Sequence, residues 1–219
     1  MFQPIDLAHW PQRARYEAVM AEGGGSDAYT LSLDVTPLAG AALYPTLLWL
    51  LTRAVNRLPS FRTALTPAGL GIYDRMHPAY TIFQPAHQTF SAIWTPYRED
   101  YGAFLEAYRR DVAAYTGQTA YAPKPGRPEN SFDVSMVPWF SFGGFSLMVP
   151  GGGDYLLPIF TLGKVTEQGG RRTLPLAVQV HRAVCGGQQV ACFLHLLEGE
   201  MAAWAGEKKA LDFPCPAVL

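Results

Sequence analysis

Hydrophobic and polar positions alternate through Tyr29, Leu31, Leu33 and Val35 at the two-residue period of a half-buried strand. Upstream, Trp10 to Met20 can form a short helix closed by Gly23, Gly24 and Gly25. Leu47 to Leu58 is apolar on nearly every side and stops at Pro59, the pattern of a helix buried under a sheet. Between Phe61 and Trp94, short runs rich in Thr, Tyr, Phe and Ile are punctuated by Pro67, Gly69, Gly71 and Pro85, which predicts several antiparallel strands. Tyr101, Phe104, Leu105, Tyr108, Val112 and Tyr115 then repeat at helical spacing, with Arg109, Arg110 and Asp111 on the opposite side.

Beyond a Pro-rich loop from Ala122 to Pro128, strands are expected around Phe132 to Ser135, Phe145 to Val149, Leu157 to Thr161 and Leu174 to Val180. A last helix, with Val190, Phe193, Leu194, Leu197, Met201 and Trp204 on one face, is expected to begin after Gly186 and Gly187. No repeat, charge block or low-complexity linker divides the chain, so residues 1–219 read as one domain. The irregular mix of helices and strands predicts an α/β fold of the two-layer α+β kind, a mixed sheet covered by helices.

Composition narrows the function classes. The 219 residues are 49% hydrophobic and only 16% charged, which excludes a dominantly disordered chain. Seventeen Lys plus Arg against eighteen Asp plus Glu leave a net charge of -1, so no basic footprint points to nucleic acid. The uncharged stretches Val35 to Thr52 and Val134 to Gly153 are broken by Pro37, Gly40, Pro45, Pro138, Gly143, Gly144 and Pro150, and read as core rather than membrane spans. Cys185, Cys192 and Cys215 are odd in number and lack CxxC spacing, which argues for a reducing compartment and against a disulfide scaffold or zinc site. Pro4, Asp6 and His9 interrupt any secretory leader, and the expected location is the cytoplasm.

Candidate chemistry is sparse. His181-Arg182-Ala183-Val184-Cys185-Gly186-Gly187 sits where a strand gives way to a helix, a position from which Cys185 and His181 could be imagined as nucleophile and base. Residues four apart in an extended strand are separated by about 13 Å, so a buried structural thiol is the better reading. The five histidines show no metal-ligand spacing, and Gly151 to Gly153 lack the Lys and Ser or Thr of a nucleotide loop.

Ordered along nearly the whole chain are Trp10, Phe61-Arg62, His77-Pro78 to Phe83, Thr89-Phe90-Ser91-Ala92, Pro138-Trp139, Pro158-Ile159-Phe160-Thr161 with Lys164, and Leu174 to His181. In these segments the chain resembles the chloramphenicol acetyltransferase family. The resemblance implies a CoA-dependent acyltransferase fold and a homotrimer with active sites between subunits. It implies acetyl-CoA as co-substrate, no tightly bound cofactor, and a small-molecule acyl acceptor as partner.

By the same resemblance, Ser135 matches the donor to the tetrahedral oxyanion and Thr161 the residue that holds a water near it. Trp139 and Lys164 match positions near CoA, and Phe90, Ala92, Leu147 and Val149 match the acceptor pocket. Ala122 stands where the family usually has Phe. The family signature His-His-Ala-Val-Cys-Asp-Gly is altered: Arg182 occupies the position of the catalytic base and Gly186 that of an Asp, while the Arg that pairs with this Asp falls on Gln12, beside Arg13.

A guanidinium holds no free lone pair at neutral pH, so Arg182 cannot take a proton, and general-base catalysis typically contributes about 10²- to 10⁴-fold. Ordinary acetyl transfer is therefore expected to be weak or lost. His181, next to Arg182, is expected on the opposite face of its strand and not as a replacement. The alternatives are a non-catalytic binding protein or an enzyme repurposed to another reaction in the same pocket.

Overall fold

The fold comes from a computed structural model that describes residues 1–149 and 152–206. Pro150, Gly151 and Cys215 lie outside the described residues.

Strands β1 (Phe2–Pro4), β3 (Thr63–Thr66) and β4 (Gly69–Tyr73) make a small antiparallel sheet in the order β1-β4-β3. The main sheet is built from β2 (Ser26–Asp34), β5 (His77–Gln84), β6 (Thr89–Trp94), β7 (Ser131–Met136), β8 (Ile159–Leu162) and β10 (Arg171–His181), in the order β2-β10-β8-β7-β5-β6. The short strand β9 (Thr166–Gln168) hairpins onto β10. Pairs β5–β7 and β7–β8 are parallel and the rest antiparallel, so the sheet is mixed, as expected.

Register explains why the sheet has two unlike faces. One row runs Tyr29, Val178, Phe160, Val134, Tyr80, Ile93 across neighbouring strands. The next row, one residue along each strand and therefore on the other face, runs Thr30, Ala177, Thr161, Ser135. The apolar row lies under helices α2 (Leu43–Arg57), α3 (Tyr101–Tyr115) and α4 (Gly187–Trp204). Phe160 meets Phe193 of α4 at 5.1 Å between ring centres, and Tyr80 meets Tyr108 of α3 at 5.3 Å and Tyr44 of α2 at 6.1 Å.

Helix α2 is the centre of this layer because Leu47, Leu48, Leu50, Leu51, Ala54 and Val55 are all fully buried. Each such Leu contributes up to about 1.5–3 kcal/mol. Helix α3 begins where the Asp100 carboxylate accepts from the Ala103 amide at 2.7 Å. Among the described residues no helix is long and apolar enough to cross a membrane.

Several boundaries differ from expectation. The first helix, α1 (Arg13–Ala21), starts after Pro11 rather than at Trp10, with Gln12 as its non-helical flank. Helix α2 starts at Leu43, not Leu47; Pro45 sits in its first turn, where its missing amide has no intrahelical role. The segment Phe145 to Val149 is not a strand. It crosses the hydroxyl-bearing face of the main sheet, and its backbone bonds go to side chains: Phe145 N–H donates to Thr30 Oγ1 at 3.1 Å, and Leu147 exchanges two bonds with the Gln179 amide at 2.8 and 2.9 Å. Cys185 is a buried free thiol.

Candidate active site

Strand β10 ends at His181, and the chain then turns sharply: the Cys185 amide donates to the His181 carbonyl at 3.0 Å. The stretch 181–185 is thus a turn rather than extended chain, so the spacing of an extended strand does not keep Cys185 and His181 apart. Their pairing as a dyad is excluded for other reasons. Burial pushes the Cys185 thiol up to about 12, with Arg15 opposing only in part, so it is no thiolate at neutral pH. The His181 ring is also fully engaged elsewhere.

His181 is 1% exposed. The Gly25 amide points at Nε2 and the Ala183 amide at Nδ1, each at 3.2 Å, and the Gly153 carbonyl also faces the ring. In either neutral tautomer the single ring lone pair is taken by a backbone amide. Burial holds its pKa below the ordinary histidine value, so the neutral form prevails. Two glycine segments make this enclosure. A Cβ on Gly24, at φ +79°, would stand 2.6 Å from the Gly153 carbonyl oxygen and 2.9 Å from His181 Nε2.

Arg182 has the opposite surroundings. Its amide donates to the Gly25 carbonyl at 2.8 Å, but its side chain is 54% exposed and its Nε lies 3.8 Å from Asp27 Oδ1. That loose, solvated pair contributes little to stability and leaves the guanidinium fork open. Arginine accepts no proton at any physiological pH.

The arginine beside Gly186 is Arg15. Its Nη2 donates to the Cys185 carbonyl at 3.0 Å, and a Cβ on Gly186 would stand 2.9 Å from the same nitrogen. Gln12 flanks α1 and Arg13 pairs with Glu17 at 2.7 Å, so neither lies beside Gly186. One helical turn separates Gln12 from Arg15, and only the tertiary approach of α1 to the β10–α4 turn selects the latter.

The hydroxyl-bearing half lies elsewhere on the sheet. Ser135 and Thr161 are register partners on the parallel strands β7 and β8, which sets their side chains side by side on one face. Thr161 is 3% exposed; Ser135 is half-buried, with its Oγ 3.2 Å from Thr81 Oγ1. A cavity of about 320 Å³ is lined by Ser135, Thr81, Phe83, Phe90, Tyr44 and Trp139 among others. Trp139 is 56% exposed and meets Phe83 edge to face at 5.0 Å. Lys164, exposed, donates its amide to the carbonyl of Phe140, next to Trp139, at 3.0 Å.

Leu147 and Val149 line a second cavity of about 390 Å³ with Gly25, Ser26, Gly153, Tyr155 and Gln179. The expected acceptor residues are therefore divided: Phe90 lines one cavity and Leu147 with Val149 the other. Ala92 is held on β6 by the Tyr121 carbonyl, which its amide meets at 2.6 Å, while Tyr121 also packs on Phe90.

Arg182 and the Ser135–Thr161 pair do not meet within one chain. Ser135 is level with Thr161 and Thr161 with Ala177, and Arg182 follows Ala177 by five positions on β10 and its turn. That spacing is roughly 16 Å along the strand, with about 10 Å more across two strands.

The sequence model of the chloramphenicol acetyltransferase family matches residues 1–198. The chain belongs to this family. It is 43% identical over 200 residues to a chloramphenicol acetyltransferase of Campylobacter coli, spanning 90% of this chain and 97% of that protein. A solved chloramphenicol acetyltransferase shares the fold with a TM-score of 0.81 at 20% identity, covering 92% of this chain and 100% of that one. The dihydrolipoamide acetyltransferase of Azotobacter vinelandii does so with a TM-score of 0.61 at 18% identity, covering 91% and 95%.

Thr81, Arg15 and Gln179 adjoin these candidate residues although no motif singles them out one by one. Thr81 lies in a run whose hydrophobic pattern signals a strand and whose match to the family gives it no role of its own. A polar Gln179 between two valines of an otherwise apolar strand is the one visible signal.

Proposed function

We propose that this chain is an acyltransferase-fold protein of the chloramphenicol acetyltransferase family that keeps the oxyanion-stabilising half of the site and has lost its general base. Ordinary acetyl-CoA-dependent O-acetylation of chloramphenicol is then weak or absent. The observation that carries this reading is the contrast at the end of β10. His181, the one imidazole there, is sealed in by backbone groups, and the exposed residue beside it is an arginine.

In the proposed assembly three chains associate in the cytoplasm, and Arg182 of one subunit faces the hydroxyl-bearing half of the next. The roughly 19 Å between the two halves within one chain supports a site completed by a second copy. Acetyl-CoA would be the co-substrate, with the Trp139 face and Lys164 near its nucleotide, and Ser135 and Thr161 near the thioester carbonyl. In a competent relative the acceptor hydroxyl attacks this carbonyl as a base removes its proton, and the C–S bond then breaks to release CoA thiol. Here the attack lacks a proton acceptor, so the ternary complex forms without turnover.

Calorimetry with acetyl-CoA and thiol release in the presence of chloramphenicol test the reading together. Binding of acetyl-CoA with thiol release at background is expected. Turnover within about tenfold of an ordinary family member would overturn it, because loss of a base costs about 10²-fold or more.

A further inference from the structure

We propose that Thr81 is a positioning residue for Ser135, donating its hydroxyl proton to Ser135 Oγ so that the serine proton points into the cavity. The inference rests on the functional reading in which Ser135 faces the thioester carbonyl, and adds the group that orients it.

The geometry begins with Tyr44. The register between β5 and β7 is paired as far as Tyr80 and Val134, and the next residues along are Thr81 and Ser135. At this point the Tyr44 hydroxyl, reaching from α2, lies 3.3 Å from the Thr81 carbonyl and 3.4 Å from the Val134 carbonyl, and shares its one proton between them. Burial raises the Tyr44 pKa, so the phenol stays protonated and remains a donor. The phenol thus ties the two backbones together at the place where Thr81 Oγ1 and Ser135 Oγ stand 3.2 Å apart. Both side chains line the same cavity of about 320 Å³.

A hydroxyl carries one proton and two acceptor lone pairs. If Ser135 donates to Thr81, its proton is spent and cannot reach a carbonyl oxygen in the cavity. If Thr81 donates to Ser135, the serine proton is free, and the relay from Thr81 through Ser135 to a carbonyl oxygen is polarised along its length. A ligand oxygen that gains negative charge favours the second arrangement. Threonine suits the role because its branched Cβ restricts χ1 and holds the donor in place.

The test is the infrared carbonyl stretch of acetyl-CoA labelled with ¹³C at the thioester carbonyl and bound to the full chain. The parent and Thr81→Ser, which keeps the donor, should lower the stretch relative to free acetyl-CoA; Ser135→Ala should abolish that shift. Thr81→Val, which keeps the shape but removes the hydroxyl, should lose most of it, and Thr81→Ala carries the same expectation if the valine variant folds poorly. A shift in either hydroxyl-free variant equal to that of the parent overturns the role of Thr81 alone. Failure of the parent to bind acetyl-CoA overturns the functional reading and this inference with it. Binding by the parent without a carbonyl shift overturns the inference while leaving the binding intact.

Discussion

His181 and Arg182 are neighbours in the chain and opposites in environment. The imidazole is enclosed by the amides of Gly25 and Ala183, the carbonyl of Gly153 and the nearby charge of Asp154, and burial dominates its titration. His77 shifts the same way, mainly through burial with help from Arg75 and Arg98, and its Nδ1 accepts from the Tyr97 amide at 3.0 Å. Between the ordinary histidine value of about 6.5 and the lower folded values, the unfolded chain binds more protons than the folded one, so stability falls as pH falls through that interval. Above it, neither group contributes a pH dependence. Denaturant midpoints measured from pH 7.5 downwards should therefore decline below about 6.5, and His181→Gln should make the decline shallower by removing one of the two contributions. A midpoint that stays level or rises on acidification would contradict the enclosure described for His181.

At the scale of elements, the segment Phe145 to Val149 shows how far periodicity can mislead. Its apolar residues resemble a strand, yet its partners are the side chains of Thr30 and Gln179 and not a neighbouring backbone ladder. Helix α3 is legible to the residue because its apolar face repeats at helical spacing and Asp100 caps it. Helix α2 is legible in its body but not in its first turn, since Pro45 reads as a breaker unless its position in that turn is known.

The strands follow from the alternating runs, whereas the parallel pairing of β5 with β7 and β7 with β8 does not. That Thr81 lies beside Ser135 does not, because that contact depends on the packing of β5 against β7 and on Tyr44. Gln179 is the pin of the 145–149 segment, 9% exposed and bonded to both polar groups of Leu147. Gln179→Leu should cost about 1–3 kcal/mol, because two backbone groups lose their partner. Hydrogen exchange should quicken at Leu147 and its neighbours while the amides of α2 keep their protection. Uniform loss of protection across the chain would show instead that Gln179 supports the whole sheet.

The whole molecule is a helix-covered sheet whose two candidate regions are separated: a cationic turn at the end of β10, and a row of hydroxyls around Ser135 and Thr161. The family resemblance marks both regions along the chain, since motif order reports residue positions. It does not point to the arginine beside Gly186, because which arginine arrives there is a matter of how α1 packs, and here it is Arg15. The proposed reading therefore expects no gain from a change at Gln12. A carboxylate introduced at Gly186 meets Arg15 directly, and the long arginine side chain can yield the few tenths of an ångström that a Cβ there demands. On the proposed reading, the guanidinium of Arg182 is the difference that removes the base.

The decisive measurement is chloramphenicol-dependent thiol release from acetyl-CoA by the parent chain and by Arg182→His combined with Gly186→Asp, assayed side by side. The parent should stay at background and the double variant should exceed it by at least about tenfold, with no further gain on adding Gln12→Arg. A double variant that folds and binds acetyl-CoA yet releases no more thiol than the parent would contradict the claim that the missing base is what silences the site.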